Sequence, residues 1–429
     1  MMHIFSMKGK TKEMLIQPLA DAPFLYMPLL KYVGSVPVPI VKVGDVVKQY
    51  QLIAQIPEGV NLASNVHSPV SGVVHDIKEY PQADGQSLLT IVIKNDFKET
   101  QIELQEKKDG YTPEEIIDLI EKAGVVGEGG AQFPTALKYR LEGRPINTFI
   151  INGAECEPYL TADYALMAER TEKLFQGINI LNSILQAEDI VIAIEEQNKK
   201  LQKSFEPFLC KKEFEKIRVF ILPNEYPQGG ELQLIKSVTG IEMPRNQRPR
   251  DVGVIVNNVG TICAVYDAVV SRKPVISRII TISGEESEYC GNFEVKIGTP
   301  IGHILNLLKL TTNNKTIVLG GPMMGKAITD WSIPITKGSG GVLFLKKEKF
   351  ERNNCISCGY CVDVCPMHLM PMKFEEYFRR GKYFNLEKYN ISSCIECAAC
   401  EYICPSNVPL IESIKEGKMK LKQLADAIQ

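Results

Sequence analysis

The amino-acid sequence predicts a multi-domain protein that combines α/β and α+β folds. Short apolar segments separated by turn residues fill most of the first hundred positions, which indicates β structure. Strands and helices then alternate from about residue 112 to 270, a pattern typical of a parallel sheet. Near the carboxyl end, one cysteine spacing occurs twice, which indicates a metal-containing module.

The composition excludes several functional classes. The 429 residues include 45% hydrophobic and 23% charged side chains, with a net charge of -2, as in ordinary globular proteins. A nucleic-acid partner is not expected, because there is no basic excess. No apolar run approaches the roughly 18 residues that span a bilayer, and the first residues lack the apolar core of a signal peptide. We therefore expect a cytoplasmic location and no transmembrane segment.

The first hundred residues resemble a biotinyl/lipoyl-like β-sandwich. Residues 41–56 and 66–77 form its two predicted halves, with Val/Ile alternation for the strands and glycine-containing turns between them. Carrier domains of this kind present a lysine for modification at a hairpin tip. The connecting stretch 57–65 contains no lysine, so we expect a docking or spacer module.

A helix and a glycine-rich loop open the next domain. Thr112 and Glu115 form a predicted capping box with Pro113 at the first helical position. The loop that follows, "GEGGAQFPT" (127–135), would allow its backbone to approach a phosphate in front of the next helix. Such a loop is also compatible with a plain turn.

Acidic and amide side chains follow two predicted strands. Glu155, Glu157 and Asp163 come after the apolar strand 148–152, where open α/β sheets bind ligands. Asn257 and Asn258 end the strand that begins at residue 252. The alternatives are a solvated acidic loop and two turn-forming asparagines.

A small β-grasp-like unit is predicted from residue 276, with one helix after Thr299-Pro300. Its loop 320–325, "GGPMMG", would face the cysteine module or a partner, or be a plain turn. The five histidines form no close constellation, so we predict no zinc or triad chemistry, and no catalytic residue is named.

Both cysteine runs read C-x2-C-x2-C-x3-C-P, the spacing of two-cluster iron–sulfur modules, in which the fourth cysteine of each run binds the other cluster. Three thiolates spaced in this way lie on one tight loop around a cubane cluster, and the fourth ligand comes from the other cysteine run, on the opposite side of the cluster. Structural zinc and disulfides are the alternatives. The sequence therefore predicts two [4Fe-4S] clusters, whose ligands are Cys355, Cys358, Cys361 and Cys404 for the first and Cys394, Cys397, Cys400 and Cys365 for the second.

The segments around the runs are predicted to be helical. A short helix pair would separate the clusters, and a modestly basic helix follows Pro409 with Lys415, Lys418, Lys420 and Lys422. A solvated helix face explains these lysines, and contact with an acidic membrane neighbour is the alternative.

The segments "GEGGAQFPT", "NGAECEPYLTADY", "YPQGGELQLIKSVTG", "VNNVGT" and "GGPMMG", together with the doubled cysteine run, resemble the RnfC family of the Rnf electron-transport complex. The resemblance extends from about residue 25 to 412. The middle domain is also similar to the flavin-bearing, NADH-oxidising subunit of respiratory complex I.

The resemblance implies a Rossmann-like domain that binds FMN and NADH, and a β-grasp unit of the SLBB type. The implied cofactor-binding residues lie on four segments, and they are Gly127, Gly129, Gly130, Phe133, Lys138, Asn152, Glu155, Glu157, Gly230, Glu231, Asn257, Asn258 and Thr261. The FMN phosphate is expected near the asparagine turn, and the nicotinamide is expected to stack on the flavin ring.

Five segments follow from this division of the chain. They are the β domain 1–104, the NADH/FMN domain 105–275, the β-grasp domain 276–348, the ferredoxin-like domain 349–410 and a helical tail 411–429. The chain departs from the family at Glu128 and Gln132, where relatives carry an apolar or basic residue and glycine. The stretch "FSMKGKTKEM" also replaces the family's Gly-Gly-Ile-His-Pro.

The resemblance implies that electrons pass between NADH, FMN, two [4Fe-4S] clusters and a ferredoxin-like partner subunit, in either direction. Membrane subunits would couple the transfer to ion translocation and hold this chain at the cytoplasmic face of the membrane. Two alternatives remain open. One is a cluster-bearing adaptor to a soluble reductase without its own NADH site, as in proline-reductase electron carriers. The other is the NADH-oxidising subunit of a soluble hydrogenase or dehydrogenase.

Overall fold

The computed structural model describes residues 1–30, 35–60, 62–106, 108, 110–130, 132–348 and 351–426. The first strand, β1 (Ile16–Pro18), pairs in parallel with residues 292–294 of a distant sheet. Residues 16–18 were predicted to lie in the domain 1–104, but they extend the sheet of the unit predicted at 276–348.

The β-sandwich contains two antiparallel sheets whose facing sides are apolar. Its strands are β2 (Phe24–Pro28), β3 (Val38–Pro39), β4 (Val46–Val47), β5 (Leu52–Gln55), β6 (Val66–His67), β7 (Gly72–Pro81) and β8 (Ser87–Asn95). Among the described residues, the strand orders are β2-β8-β7-β4 and β3-β5-β6. Leu25, Ile53 and Ile91 are fully buried between the sheets, as the Val/Ile alternation predicts.

The central domain alternates helices and parallel strands. Its elements are α1 (Pro113–Lys122), α2 (Thr135–Tyr139), β9 (Thr148–Gly153), α3 (Ala162–Glu169), α4 (Thr171–Leu185), β10 (Asp189–Glu195), α5 (Gln202–Leu209), β11 (Ile217–Leu222), α6 (Glu231–Thr239), β12 (Val254–Asn258) and α7 (Val259–Val269). The described strands are parallel in the order β11-β10-β9-β12. At α1, Thr112 Oγ1 accepts from the Glu115 amide at 3.3 Å, and the Glu115 carboxylate accepts from the Thr112 amide at 2.9 Å.

A mixed sheet forms the third unit. Its elements are β13 (Ser277–Ser283), β14 (Gly291–Lys296), α8 (Ile301–Leu307), β15 (Lys315–Leu319), β16 (Lys326–Ile328) and β17 (Gly341–Lys346). With β1, the described strands have the order β1-β14-β13-β17-β15-β16. The helix α8 begins directly after Pro300, as predicted, and buries Ile301 and Ile304 on the sheet.

The cysteine-rich module consists of short helices and loops. Its helices are α9 (Tyr360–Asp363), α10 (Pro371–Arg379), α11 (Phe384–Lys388), α12 (Ala399–Tyr402) and α13 (Leu410–Asp426). Short 3-10 turns occur here and in the central domain, at Glu196–Leu201, Lys212–Phe214, Pro249–Val252 and Ile391–Ser393. None of the helices in the described ranges is long and apolar enough to cross a bilayer.

A buried lysine joins three units. The Lys337 ammonium donates to the carbonyl oxygens of Gly124 at 2.7 Å and Asn65 at 2.8 Å, and to Ser64 Oγ at 3.1 Å. These acceptors belong to the β-sandwich and to the end of α1. The predicted domain boundaries at residues 104, 275 and 410 stay predictions, and the start at residue 349 lies outside the described residues.

Candidate functional site

The glycine-rich loop lies between α1 and α2 and is closed by its own backbone. The Gly127 amide donates to the Phe133 carbonyl at 2.8 Å, and the Gln132 amide donates to the Gly127 carbonyl at 3.0 Å. The Glu128 amide donates to Thr261 Oγ1 at 3.0 Å, which ties the loop to the start of α7. Gly130 has a φ of 104°, a conformation that glycine adopts without strain. Ala131 of the loop lies outside the described residues.

The two residues that depart from the family direct their side chains into the protein. Glu128 lies 3.4 Å from the Arg278 guanidinium and reaches the flank of α7 at Gly260. Burial raises the pKa of Glu128, and Arg278 opposes this shift. Gln132 has a φ of 49°, and its side chain packs against Gly338. Neither contact requires a cofactor.

The asparagine turn connects three helices at the carboxyl edge of the sheet. Asn258 Oδ1 accepts from the Gly260 amide at 2.8 Å, which caps α7, and Asn258 Nδ2 donates to Asp163 at 2.7 Å. Asn257 Nδ2 donates to the Tyr139 hydroxyl at 2.8 Å. The turn therefore positions α2, α3 and α7 around the glycine-rich loop.

Lys138 and the glycine pair before α6 lie at the same edge. The Lys138 ammonium donates to the Val256 carbonyl at 2.9 Å and lies 3.5 Å from a Glu231 carboxylate oxygen. Asn152 Nδ2 donates to the Gly229 carbonyl at 2.9 Å, and Gly230 is the N-cap of α6. The tertiary structure thus brings together the predicted residues of the glycine-rich loop, β9, α6 and β12.

Gly229 lies at the same edge, and the sequence did not single it out. A Cβ atom there would collide with the backbone carbonyl oxygen of Ala154 in the acidic loop. The Gly229 amide also donates to Cys156 Sγ at 3.3 Å. Only the doubled glycine in "YPQGGE" pointed to this close approach of two backbones.

The two acidic-loop carboxylates are engaged within the protein. The Glu155 carboxylate accepts from the amides of Asp163 and Tyr164 at 3.0 and 3.4 Å, and it lies 3.8 Å from the Lys8 ammonium. The Glu157 carboxylate accepts from the amides of Met323 and Met324 at 3.0 and 2.9 Å. Glu157 therefore holds the "GGPMMG" loop against the acidic loop.

The N-terminal segment covers this acidic loop. Met2 and Tyr226 exchange backbone hydrogen bonds of 3.1 and 2.8 Å, and the Tyr159 amide donates to the Ser6 carbonyl at 2.9 Å. Lys8 is 3% exposed and also donates to the carbonyl oxygen of Glu155. In the sequence, this segment stands out only as a departure from the family, and no pattern singles out Lys8.

Two buried polar atoms beside the glycine-rich loop have unused hydrogen-bonding capacity. Gln132 Oε1 and Thr135 Oγ1 are buried beside the glycine-rich loop and have no hydrogen-bond partner among the described residues. A flavin ring carries both donors and acceptors, so these atoms fit such a ligand. The assignment of individual FMN- and NADH-binding residues stays a prediction.

The first thiol group, defined as Cys355, Cys358, Cys361 and Cys404, lines one small cavity. Cys355 and Cys358 are exposed, and Cys361 is buried. Burial, and in addition the other three thiols of the group, raise the pKa of Cys361. Iron offsets the cost of ionising such crowded thiols, so this donor set fits a metal cluster.

The second thiol group, defined as Cys394, Cys397, Cys400 and Cys365, is more deeply placed. Burial, and in addition the nearby thiols of Cys394 and Cys365, raise the pKa of Cys397 to about 11. The amides of Leu369 and Glu396 donate to Cys365 Sγ and Cys394 Sγ, both at 3.4 Å. Each group takes three thiols from one run and one from the other. This grouping favours the crossed ligand assignment, which stays a prediction.

Two side chains outside the runs bind the backbone of the second thiol group. Tyr226 donates its hydroxyl to the Cys397 carbonyl at 2.8 Å. The Lys418 ammonium donates to the Cys394 carbonyl and to a Glu396 carboxylate oxygen, both at 2.7 Å. A solvated face does not describe Lys418, whose side chain is 26% exposed. In the sequence, the signal for this contact was the position of Lys418 on the amphipathic helix α13.

In the part of the chain that the structure describes, no group of three or more His, Cys, Asp or Glu side chains is placed to hold a single metal ion.

Comparison with protein families identifies three segments. Residues 2–98 match the "RnfC Barrel sandwich hybrid domain", residues 120–267 match the "Nuo51 FMN-binding domain" and residues 354–408 match the "4Fe-4S dicluster domain". These matches confirm the predicted fold class. They also give the chain an FMN-binding domain and a module for 4Fe-4S clusters.

Comparison with curated proteins finds relatives that align over most of this chain. The chain is 39% identical to the C subunit of the "proton-translocating ferredoxin:NAD(+) oxidoreductase complex" of Clostridium ljungdahlii, over 83% of this chain and 78% of the relative. It is 38% identical to the C subunit of the "ion-translocating oxidoreductase complex" of Pseudomonas aeruginosa, over 95% of this chain and 54% of that protein. It therefore spans about half of the longer Pseudomonas relative. A solved NAD+-reducing [NiFe]-hydrogenase chain aligns over 72% of this chain and 61% of its own, with a TM-score of 0.49 and 19% identity.

Proposed function

This chain belongs to the RnfC family of ion-translocating (Rnf) oxidoreductase complexes, and on that premise we propose that it carries electrons between NADH and a partner subunit. FMN and two [4Fe-4S] clusters are its cofactors. Bound flavin supplies the conversion between a two-electron hydride and single electrons, and the protein binds and orients it.

The observation that carries the proposal is the contact between the two halves of the site. The glycine-rich loop, the asparagine turn and Gly230 meet at the carboxyl edge of the central sheet, and the second thiol group packs directly against this domain through Tyr226. Electron transfer requires short distances between centres. An FMN-binding domain and a cluster module that pack against each other meet that requirement.

At this edge of the sheet, we assign binding and orientation of the flavin to the chain's own groups. The backbone of Gly127, Gly129 and Gly130 would face the flavin, and the helix start behind Asn258 would face its phosphate. Lys138 on α2 and Glu231 on α6 would contact the nucleotide. Hydride transfer needs no acid or base from the protein, so no catalytic residue is assigned.

The partner is another member of the complex. We assign it to a ferredoxin-like subunit that exchanges electrons with the clusters, while membrane subunits link the flow to ion movement. The chain would then lie peripherally at the cytoplasmic face of the membrane, held by these subunits. The family names of the relatives support a multi-subunit complex.

The alternative of an adaptor without its own NADH site is less well supported, because residues 120–267 match an FMN-binding domain. Anaerobically reconstituted protein with FMN bound distinguishes the two functions. Addition of NADH should bleach the flavin absorbance and decrease the broad cluster band. A preparation without added FMN is the control, and its cluster band should stay unchanged. Unchanged spectra with both cofactors present would refute the proposal in favour of the adaptor.

A further inference from the structure

Tyr226 forms a direct link between the central domain and the second thiol group. Its hydroxyl donates a 2.8 Å hydrogen bond to the backbone carbonyl of Cys397, across 171 residues of sequence. The side chain is 1% exposed. A carbonyl oxygen can only accept, so the tyrosine hydroxyl is the donor of this hydrogen bond.

The position of this hydroxyl is set by packing on both sides. The backbone of Tyr226 pairs with Met2 through two hydrogen bonds, of 3.1 and 2.8 Å. Its ring lies in one apolar cluster with Cys397 and Ala399, and Met323 packs against the same cluster. The contact is therefore part of a buried interface and does not depend on one mobile loop.

The two thiol groups differ in their surroundings. In the second group, Cys397 and Cys400 are each 7% exposed. In the first group, Cys355 and Cys358 are exposed, and the adjacent Ile356 is 67% exposed. The second group thus lies against the FMN-binding domain, whereas the first group has an open side.

We infer that Tyr226 is a positioning residue for the second cluster, and that this cluster is the inner one of the pair while the first faces outward. The inference rests on the proposed function and specifies the order of its centres. Hydrogen bonds around the ligands of a cluster tune its reduction potential. A donor on the Cys397 peptide withdraws electron density from the ligand and so favours the reduced cluster.

The test is a Tyr226→Phe variant of the complete reconstituted chain, which keeps the ring and removes only the hydroxyl. Both clusters are reduced stepwise with dithionite and mediators, and their EPR signals are followed against potential. We expect the midpoint potential of the second cluster to fall while that of the first stays unchanged. A Cys358→Ala variant, which disrupts the first cluster, assigns the signals.

Tyr159→Phe is the matched control. It removes a hydrogen bond of 2.9 Å from the tyrosine hydroxyl to Glu285, outside the cysteine module, and should leave both potentials unchanged. As a second measurement, the wild-type protein is treated briefly with ferricyanide and then reduced again with dithionite, and the first EPR signal should be lost before the second.

Three results would overturn the inference: an unchanged second potential in Tyr226→Phe, a shift confined to the first cluster, or earlier oxidative loss of the second. These measurements use dithionite, so they are independent of NADH oxidation. A wild-type protein without either EPR signal would refute the proposed function itself, and this inference with it.

Discussion

Replacing Lys8 with Met should destabilise the protein by about 3 kcal/mol at pH 8. The Lys8 and Glu155 side chains are 3% and 7% exposed, and their charged groups lie 3.8 Å apart. Removal of one partner from a buried ion pair costs roughly 3–5 kcal/mol, because the other charge stays buried without compensation. The amides of Asp163 and Tyr164 still donate to Glu155 in the variant, so we expect the lower end of this range.

Urea unfolding followed by circular dichroism measures the loss. Lys200→Met is the matched control, because Lys200 also pairs with a glutamate, Glu13, at 3.4 Å, but the two side chains are 75% and 69% exposed. Exposed pairs contribute at most about 1 kcal/mol. The double variant Lys8→Met/Glu155→Gln should regain most of the lost stability, since it leaves no unpaired charge.

The decrease in the free energy of unfolding caused by Lys8→Met should depend on pH. Burial, opposed by Lys8, raises the pKa of Glu155 from 4.5 to about 7. The folded state therefore binds a proton at Glu155 more tightly than the unfolded state does. Protonation of Glu155 stabilises the fold as the pH falls from about 7 towards 4.5. A neutral Glu155 needs no counter-ion, so the cost of Lys8→Met should decrease between pH 8 and pH 6. A cost equal to that of Lys200→Met, or one independent of pH, would refute the reasoning.

Three further predictions concern other parts of the chain. Gly229→Ala places a methyl group against the acidic-loop backbone and should cost about 1–3 kcal/mol and weaken FMN binding in a fluorescence titration, whereas Gly9→Ala, in open space, should change neither. Burial lowers the pKa of His67 from 6.5 to about 3, so the unfolded state takes up a proton between these values and stability is lost as the pH falls, by about 2 kcal/mol at pH 5. His67→Gln should flatten this slope in urea midpoints measured from pH 7 to 5, and an unchanged slope would contradict the assignment. Cys404→Ala should weaken the EPR signal of the first cluster more than that of the second, and loss confined to the second would exclude the crossed ligand sets.

Local patterns predicted much of the fold. Thr112 and Glu115 are three residues apart, so a capping box between them depends only on the geometry of one helical turn. The Val/Ile alternation of the β-sandwich likewise selects a buried face within each strand. Spacing also indicated the two cysteine runs, because one loop supplies three thiols of each group.

The residues that sequence reasoning missed act at long range. Lys8 meets Glu155 across 147 positions, and Lys418 reaches the Cys394 carbonyl from the following helix. A lysine on a helix or in a terminal segment is interpreted as a solvated charge, because nothing nearby in the sequence indicates its partner. Gly229 is similar, because the backbone carbonyl that leaves no room for a side chain there belongs to Ala154 in the acidic loop, 75 positions earlier in the chain.

The sequence by itself determined the element types and the cysteine ligand sets to be tested, because these depend on periodicity and spacing along the chain, and its motifs carried the resemblance to the family. Only the tertiary structure decided that β1 joins a distant sheet, that the N-terminal segment covers the acidic loop, and that Tyr226 meets the second thiol group. Each of these contacts joins segments far apart in sequence. Their pairing is selected by burial and hydrogen-bond complementarity between surfaces that exist only after the elements have packed.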